Sequence, residues 1–293
     1  MQGVKLLRGP IRGSRRLKAG TVYVVAGAVR VCSGAVLTIE DGVTVLIRNG
    51  LVETSPVGRA ALIFEHGSEL RAQRVQFRAC DEFNRPARKA DNGGVWFMGT
   101  YRSAAKDGMR VSATPGSRMS RFRARMITAH FLGRHDPAVP RQGDQDDDLD
   151  GLSVLGVGPQ EWYVEELRSF HSGDDGLDLT NSHICIARLR ITSPTEDGIN
   201  LSSSLLQITR SVLVDVKRTS VTDREILDFE VDDGPSYLEI ARGCRVQFRG
   251  NCGDELRVAG DDMRGLRKLL ATGEPFKCNL PNSPALFYSL IKD

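Results

Sequence analysis

The sequence predicts an all-β chain wound as a right-handed parallel β-helix, a solenoid closed by a short C-terminal helix or tail. Three observations carry this. Short stretches dense in β-branched residues are punctuated by Gly, which occurs 30 times in 293 residues. Helical spacing of apolar residues is missing until the tail. A D-G-apolar-polar-apolar phrase recurs as Asp150-Gly151-Leu152-Ser153-Val154, Asp175-Gly176-Leu177-Asp178-Leu179 and Asp197-Gly198-Ile199-Asn200-Leu201. Leu227-Asp228-Phe229 and Leu256-Arg257-Val258 keep its triplet at longer intervals. A period in the twenties suits a chain that makes one turn per repeat, each turn burying its apolar side chains against the next. A leucine-rich repeat would need a phrase that is absent here, and a propeller a longer period.

The remaining composition narrows the class. Lys and Arg exceed Asp and Glu by 40 to 37, giving +3. That balance does not mark a nucleic-acid binder. Hydrophobic residues at 40% and charged residues at 26% exclude a mostly disordered chain. No apolar run approaches the ~20 residues of a membrane helix.

Taken in order, residues 1–19 read as a basic arm with Lys5, Arg8, Arg12, Arg15, Arg16 and Lys18 and no acid. No apolar stretch follows those charges, so the arm is not a secretory signal. A cytoplasmic location, or assembly into a particle, is expected unless another export route acts. The β-helix is expected over 20–260. Arg-Val-Gln-Phe-Arg occurs at 74–78 and at 245–249, with Val and Phe on one face. Cys244 falls on the apolar face of the second copy and reads as core. Met263, Leu266, Leu269 and Leu270 give 261–293 a helical start, and the expected role of this tail is to cap the open end.

Charge is segregated along the chain. Arg102, Lys106, Arg110, Arg118, Arg121, Arg123 and Arg125 face one acid, Asp107. Residues 144–178 hold eleven acids against Arg168. Such faces suit a homo-oligomer or an anionic partner. Without interleaved aromatics, nucleic acid is not an expected partner. The acidic loop offers Asp144, Asp146, Asp148 and Asp150 as metal ligands. Ca²⁺ is the cofactor this oxygen-rich stretch suggests, though the EF-hand spacing is missing and a solvated loop explains it equally.

The outward polar residues of the triplets are Ser153, Asp178, Asn200, Asp228 and Arg257. If the apolar partners point inward, these stack turn upon turn. Asp174, Asp175 and Asp197 sit in the turn before them, and His171 precedes that turn. Asn200, Arg257, His171, Asp174 and Asp197 are candidate ligand-binding residues. Asp175, Asp178 and Asp228 are candidate acid–base carboxylates. Asp178 and Asp228 lie two turns apart, about 9–10 Å, near the spacing of inverting glycosidases. Asp-Gly is also ordinary turn chemistry, and an outward polar residue on a solvated sheet needs no ligand to explain it.

Ala35-Val36-Leu37-Thr38-Ile39-Glu40-Asp41-Gly42-Val43-Thr44-Val45 resembles the L-T-I-E-x-G phrase of the pectin-lyase-like superfamily. Gly151 to Gly158, Tyr163-Val164 and Asp174-Asp175-Gly176-Leu177-Asp178 are similar to a bacterial surface branch of it that carries D-D-G-I-E-F. The resemblance covers roughly 20–260 and implies the β-helix. Leu177-Asp178-Leu179 departs from I-E-F. Of the polygalacturonase-like set only Asp174-Asp175 is matched. For a lyase, Arg257 and Arg224 would serve as cations. Two functions stay open: a non-catalytic β-helix that binds glycan or assembles on a surface or particle, and a carbohydrate-active enzyme on acidic polysaccharide.

Overall fold

The computed structural model describes residues 3–106, 109–112, 118–134, 149–216, 224–251, 256–259, 267–268, 276–279 and 284–290. Its described residues form an all-β chain built on parallel sheets that do not close on themselves. No described helix is long and apolar enough to cross a membrane.

Two large sheets share the strands. From Arg121–His130 to Ser236–Ile240 the chain alternates between them. Arg121–His130, Trp162–Phe170, His183–Thr192 and Leu205–Asp215 pair in parallel, each with the next, in the longer sheet. Leu152–Leu155, Leu177–Thr180, Ile199–Ser202 and Leu227–Glu230 do the same in the shorter sheet. Earlier, the longer sheet is two ribbons. Glu69–Ala72 and Arg74–Cys80 end them, and both pair with successive halves of Arg121–His130.

Alternation explains the burial. Leu177 and Leu179, Ile199 and Leu201, Leu227 and Phe229 point into one core, where Ile184, Ile186, Leu206 and Ile208 of the longer sheet meet them. Both copies of Arg-Val-Gln-Phe-Arg occupy the same columns of the longer sheet, burying Val75 with Phe77 and Val246 with Phe248. Cys244 is buried, as its apolar face predicts.

The corners repeat as well. Asn181 and Ser203 follow the shorter-sheet strands with φ of 51° and 49°. Serines stack next to them: the Ser182 N–H donates to Ser204 Oγ at 2.9 Å, and Ser204 Oγ reaches the Leu179 carbonyl at 3.0 Å. The buried Glu161 carboxylate pins neighbouring segments, accepting the N–H groups of Thr100, Ser120 and Gly158 at 2.9–3.0 Å.

Strands at both ends extend the longer sheet. Gly3–Leu7 and Ser14–Leu17, inside the basic arm, pair in parallel with Thr21–Val25 and Val36–Ile39. The sheets therefore begin well before residue 20. In the tail, Phe276–Asn279 and Ala285–Ser289 pair antiparallel with Arg245–Arg249 and Ser236–Ile240. Of the expected tail helix, Arg267 and Lys268 are described and are helical.

Candidate functional site

The outer face of the shorter sheet assembles the polar column. Ser153 is paired with Asp178, Asp178 with Asn200, and Asn200 with Asp228. Adjacent parallel strands stand about 4.8 Å apart, so Asp178 and Asp228 are about 9.6 Å apart along the column. Two residues further along each strand, Leu155, Thr180, Ser202 and Glu230 form a second outward column.

This face is not uniformly solvated. Upstream, the first column continues through Trp96 and Ile63. Those residues, with Met98 and Leu155, pack under Ala104 and Leu149 in a small apolar cluster outside the main core. Ser153 and Asp178 lie where that cover ends and are 0% and 2% exposed. Asn200 and Asp228 are half-buried and Glu230 is exposed. The stripe thus passes from a sealed apolar end to an open acidic one.

The turn acids hold the rungs together. Asp175 Oδ1 accepts the Asp197 N–H at 3.0 Å, and the Asp197 carboxylate accepts the Glu225 N–H. The Gly176 and Gly198 N–H groups donate to the Asp197 and Glu225 carbonyls at 2.8 and 2.7 Å. Glycine is needed there for space: a Cβ on Gly176 would lie 2.3 Å from Ile191 Cγ2, and one on Gly198 2.3 Å from Val214 Cγ1. The Asp174, Asp175 and Glu196 side chains bring one oxygen each within 4.8 Å of one another, a spacing that one hard cation could bridge.

Crowding sets the protonation. Burial, then the Asp175 and Asp228 carboxylates, hold the Asp197 carboxyl well above the usual Asp range. Desolvation, then Asp228, Asp178 and Asp232, push Glu230 up to about 7. A carboxyl that keeps its proton near neutral pH among other acids is suited to donate one.

The other expected residues lie elsewhere. Arg257 is not on the column: it pairs with Tyr288, antiparallel, in the longer sheet. The Leu256-Arg257-Val258 triplet has the pattern of a rung but joins the other sheet beside the tail strand. His171 is exposed at the corner before the turn, with φ 54°, and stacks on Phe131 at 4.8 Å. Asp150 is buried, whereas Asp144, Asp146 and Asp148 lie outside the described residues. Glu230, Ser202 and Thr180 escaped the sequence reading. Their signal was available: each stands two residues beyond a residue of the first column and shares its face. Comparisons with protein-family models, curated proteins and solved structures found no match to this chain.

Proposed function

We propose that the chain is a right-handed parallel β-helix of pectin-lyase-like type that binds a glycan along Asn200 and Asp228, the open end of the column that starts at Asp178, without cleaving it. The observation that carries this reading is the register itself, which stacks a carboxylate, an amide and a carboxylate on neighbouring rungs. Strand-by-strand alternation between two parallel sheets supports the helical winding, and parallel crossovers take the right hand almost always. Carboxylates accept sugar hydroxyls, and an amide both accepts and donates. The open end, from Asn200 to Glu230, offers the contact surface, with Asp178 behind it.

A second reading is a carbohydrate-active enzyme on acidic polysaccharide, and Glu230 favours it. Glu230 would donate a proton to the glycosidic oxygen while Asp228 activates water; Asp178, 2% exposed, lies behind the contact surface. Asp175 is engaged with backbone and Arg257 is on another sheet, so neither has a part in this scheme.

Affinity gels and a reducing-end assay over neutral and acidic polysaccharides, with and without Ca²⁺, test both. Retardation by a neutral glycan without product, lost in Asp228→Asn, supports the binding protein. Product that vanishes in Glu230→Gln replaces it with the enzyme. No retardation and no product across the panel removes both readings.

A further inference from the structure

We propose that a trough on the outer face of the longer sheet is a second binding site, taking a linear polysaccharide that carries oxyanions. It lies apart from the Asp178–Asp228 column and goes beyond the function proposed for that column.

The register defines the trough. One outward column runs Arg74, Met126, Glu166, Arg188, Ser211 and Arg245. Beside it runs Gln76, Thr128, Arg168, Arg190, Leu213 and Gln247. Six rungs span about 24 Å at about 4.8 Å per step. Two hollows sit along these columns: one of about 380 Å³ at Arg74, Gln76, Met126 and Thr128, and one of about 660 Å³ from Glu166 to Gln247. A trough of that length along the rungs fits an extended polymer better than a compact ligand, and one sugar ring is roughly as long as one step.

Cations outnumber acids in the larger hollow. Arg168 bonds Glu166 at 2.6 Å, and Arg188 bonds Glu165 at 2.9 Å while lying 3.6 Å from Glu166. Arg190 and Arg245 are both exposed, and neither has a carboxylate within ion-pair distance among the described residues. Arg190 is already positioned, because its guanidinium lies 5.4 Å from the Phe170 ring centre and that ring stacks on His130 at 4.8 Å. A guanidinium held in place gives up less freedom when it grips an oxyanion in a two-pronged contact. Gln76, Thr128, Ser211 and Gln247 supply neutral donors and acceptors for hydroxyls between the charges.

The same contacts disfavour nucleic acid. Phe170 is engaged by both His130 and Arg190, so it offers no free ring for a base to stack on.

The test measures retention of the full chain in gels containing dextran sulfate, polygalacturonate or neutral dextran, with an oligothymidylate as competitor. The expected result is retardation by at least one of the two anionic polymers and none by dextran. The apparent affinity should fall about tenfold or more in Arg190→Gln/Arg245→Gln and again on raising salt. Asp228→Asn, which disables the other face, should leave this binding unchanged. Protection of Arg190 and Arg245 from phenylglyoxal by the polymer, read by mass spectrometry on the unaltered protein, gives a measure independent of the variants. The proposal is overturned if neither anionic polymer retards the chain, if neither arginine is protected, or if the double variant binds as well as the parent. Displacement of the polymer by oligothymidylate at lower concentration than by the polymer itself would reassign the trough to nucleic acid.

Discussion

Asp175 and Asp197 are successive brackets of one stack: Asp175 Oδ1 holds the Asp197 backbone N–H at 3.0 Å, and Asp197 holds that of Glu225 in turn. Each carboxylate serves a backbone group one rung further on. The repeated Asp-Gly is therefore a fastening first. Its cost is proximity, since Asp175 and Asp228 both act on Asp197 in a site with little solvent.

That proximity predicts how stability depends on pH. A carboxyl raised in the folded state binds a proton that the unfolded chain has already lost. Its contribution is complete below the ordinary Asp value, near 3.8, and drains away as pH rises toward the folded value. Asp197→Asn keeps an oxygen for the Glu225 N–H and removes the repulsion. Thermal unfolding followed by circular dichroism should show a flatter pH dependence and a higher Tm above neutrality for this variant. Parallel curves for the two proteins would refute the idea.

Gly176 is the most crowded point of the same turn. A Cβ there would sit 2.3 Å from Ile191 Cγ2 and 2.6 Å from the Gly198 carbonyl oxygen, and the carbonyl belongs to backbone that cannot swing aside. Gly176→Ala should lose about 1–3 kcal/mol in urea unfolding, the usual cost of overpacking. Gly13, with nothing within 4 Å of a built Cβ, is the control that should change little.

The serine stack at the opposite corner makes a prediction of its own. Ser204 Oγ accepts the Ser182 N–H and reaches the Leu179 carbonyl, all in a buried setting. Ser204→Ala strands the Ser182 N–H away from water and should cost about 1–3 kcal/mol. Amide hydrogen exchange should quicken at Ser182 ahead of global unfolding. Unchanged protection at that amide would mean that the stack contributes little.

What the sequence determined by itself is phase and adjacency. An apolar-polar-apolar triplet fixes which side chains face the core, because strand side chains alternate. Its recurrence after one turn of chain places Ser153, Asp178, Asn200 and Asp228 side by side, and they are so paired. The same logic broke at Arg257, where a three-residue pattern is too short to say which sheet it joins. Tertiary structure decided everything that depends on distant segments. Ser153 and Asp178 are buried beside the apolar residues that pack with Ala104 and Leu149, and the Glu230 carboxyl is raised by desolvation and then by Asp228, Asp178 and Asp232, which folding gathers around it. The basic segment at 3–17 became sheet because its strands found edges to pair with. Periodicity is local and can be read along the chain; burial and charge are sums over neighbours that only folding brings together.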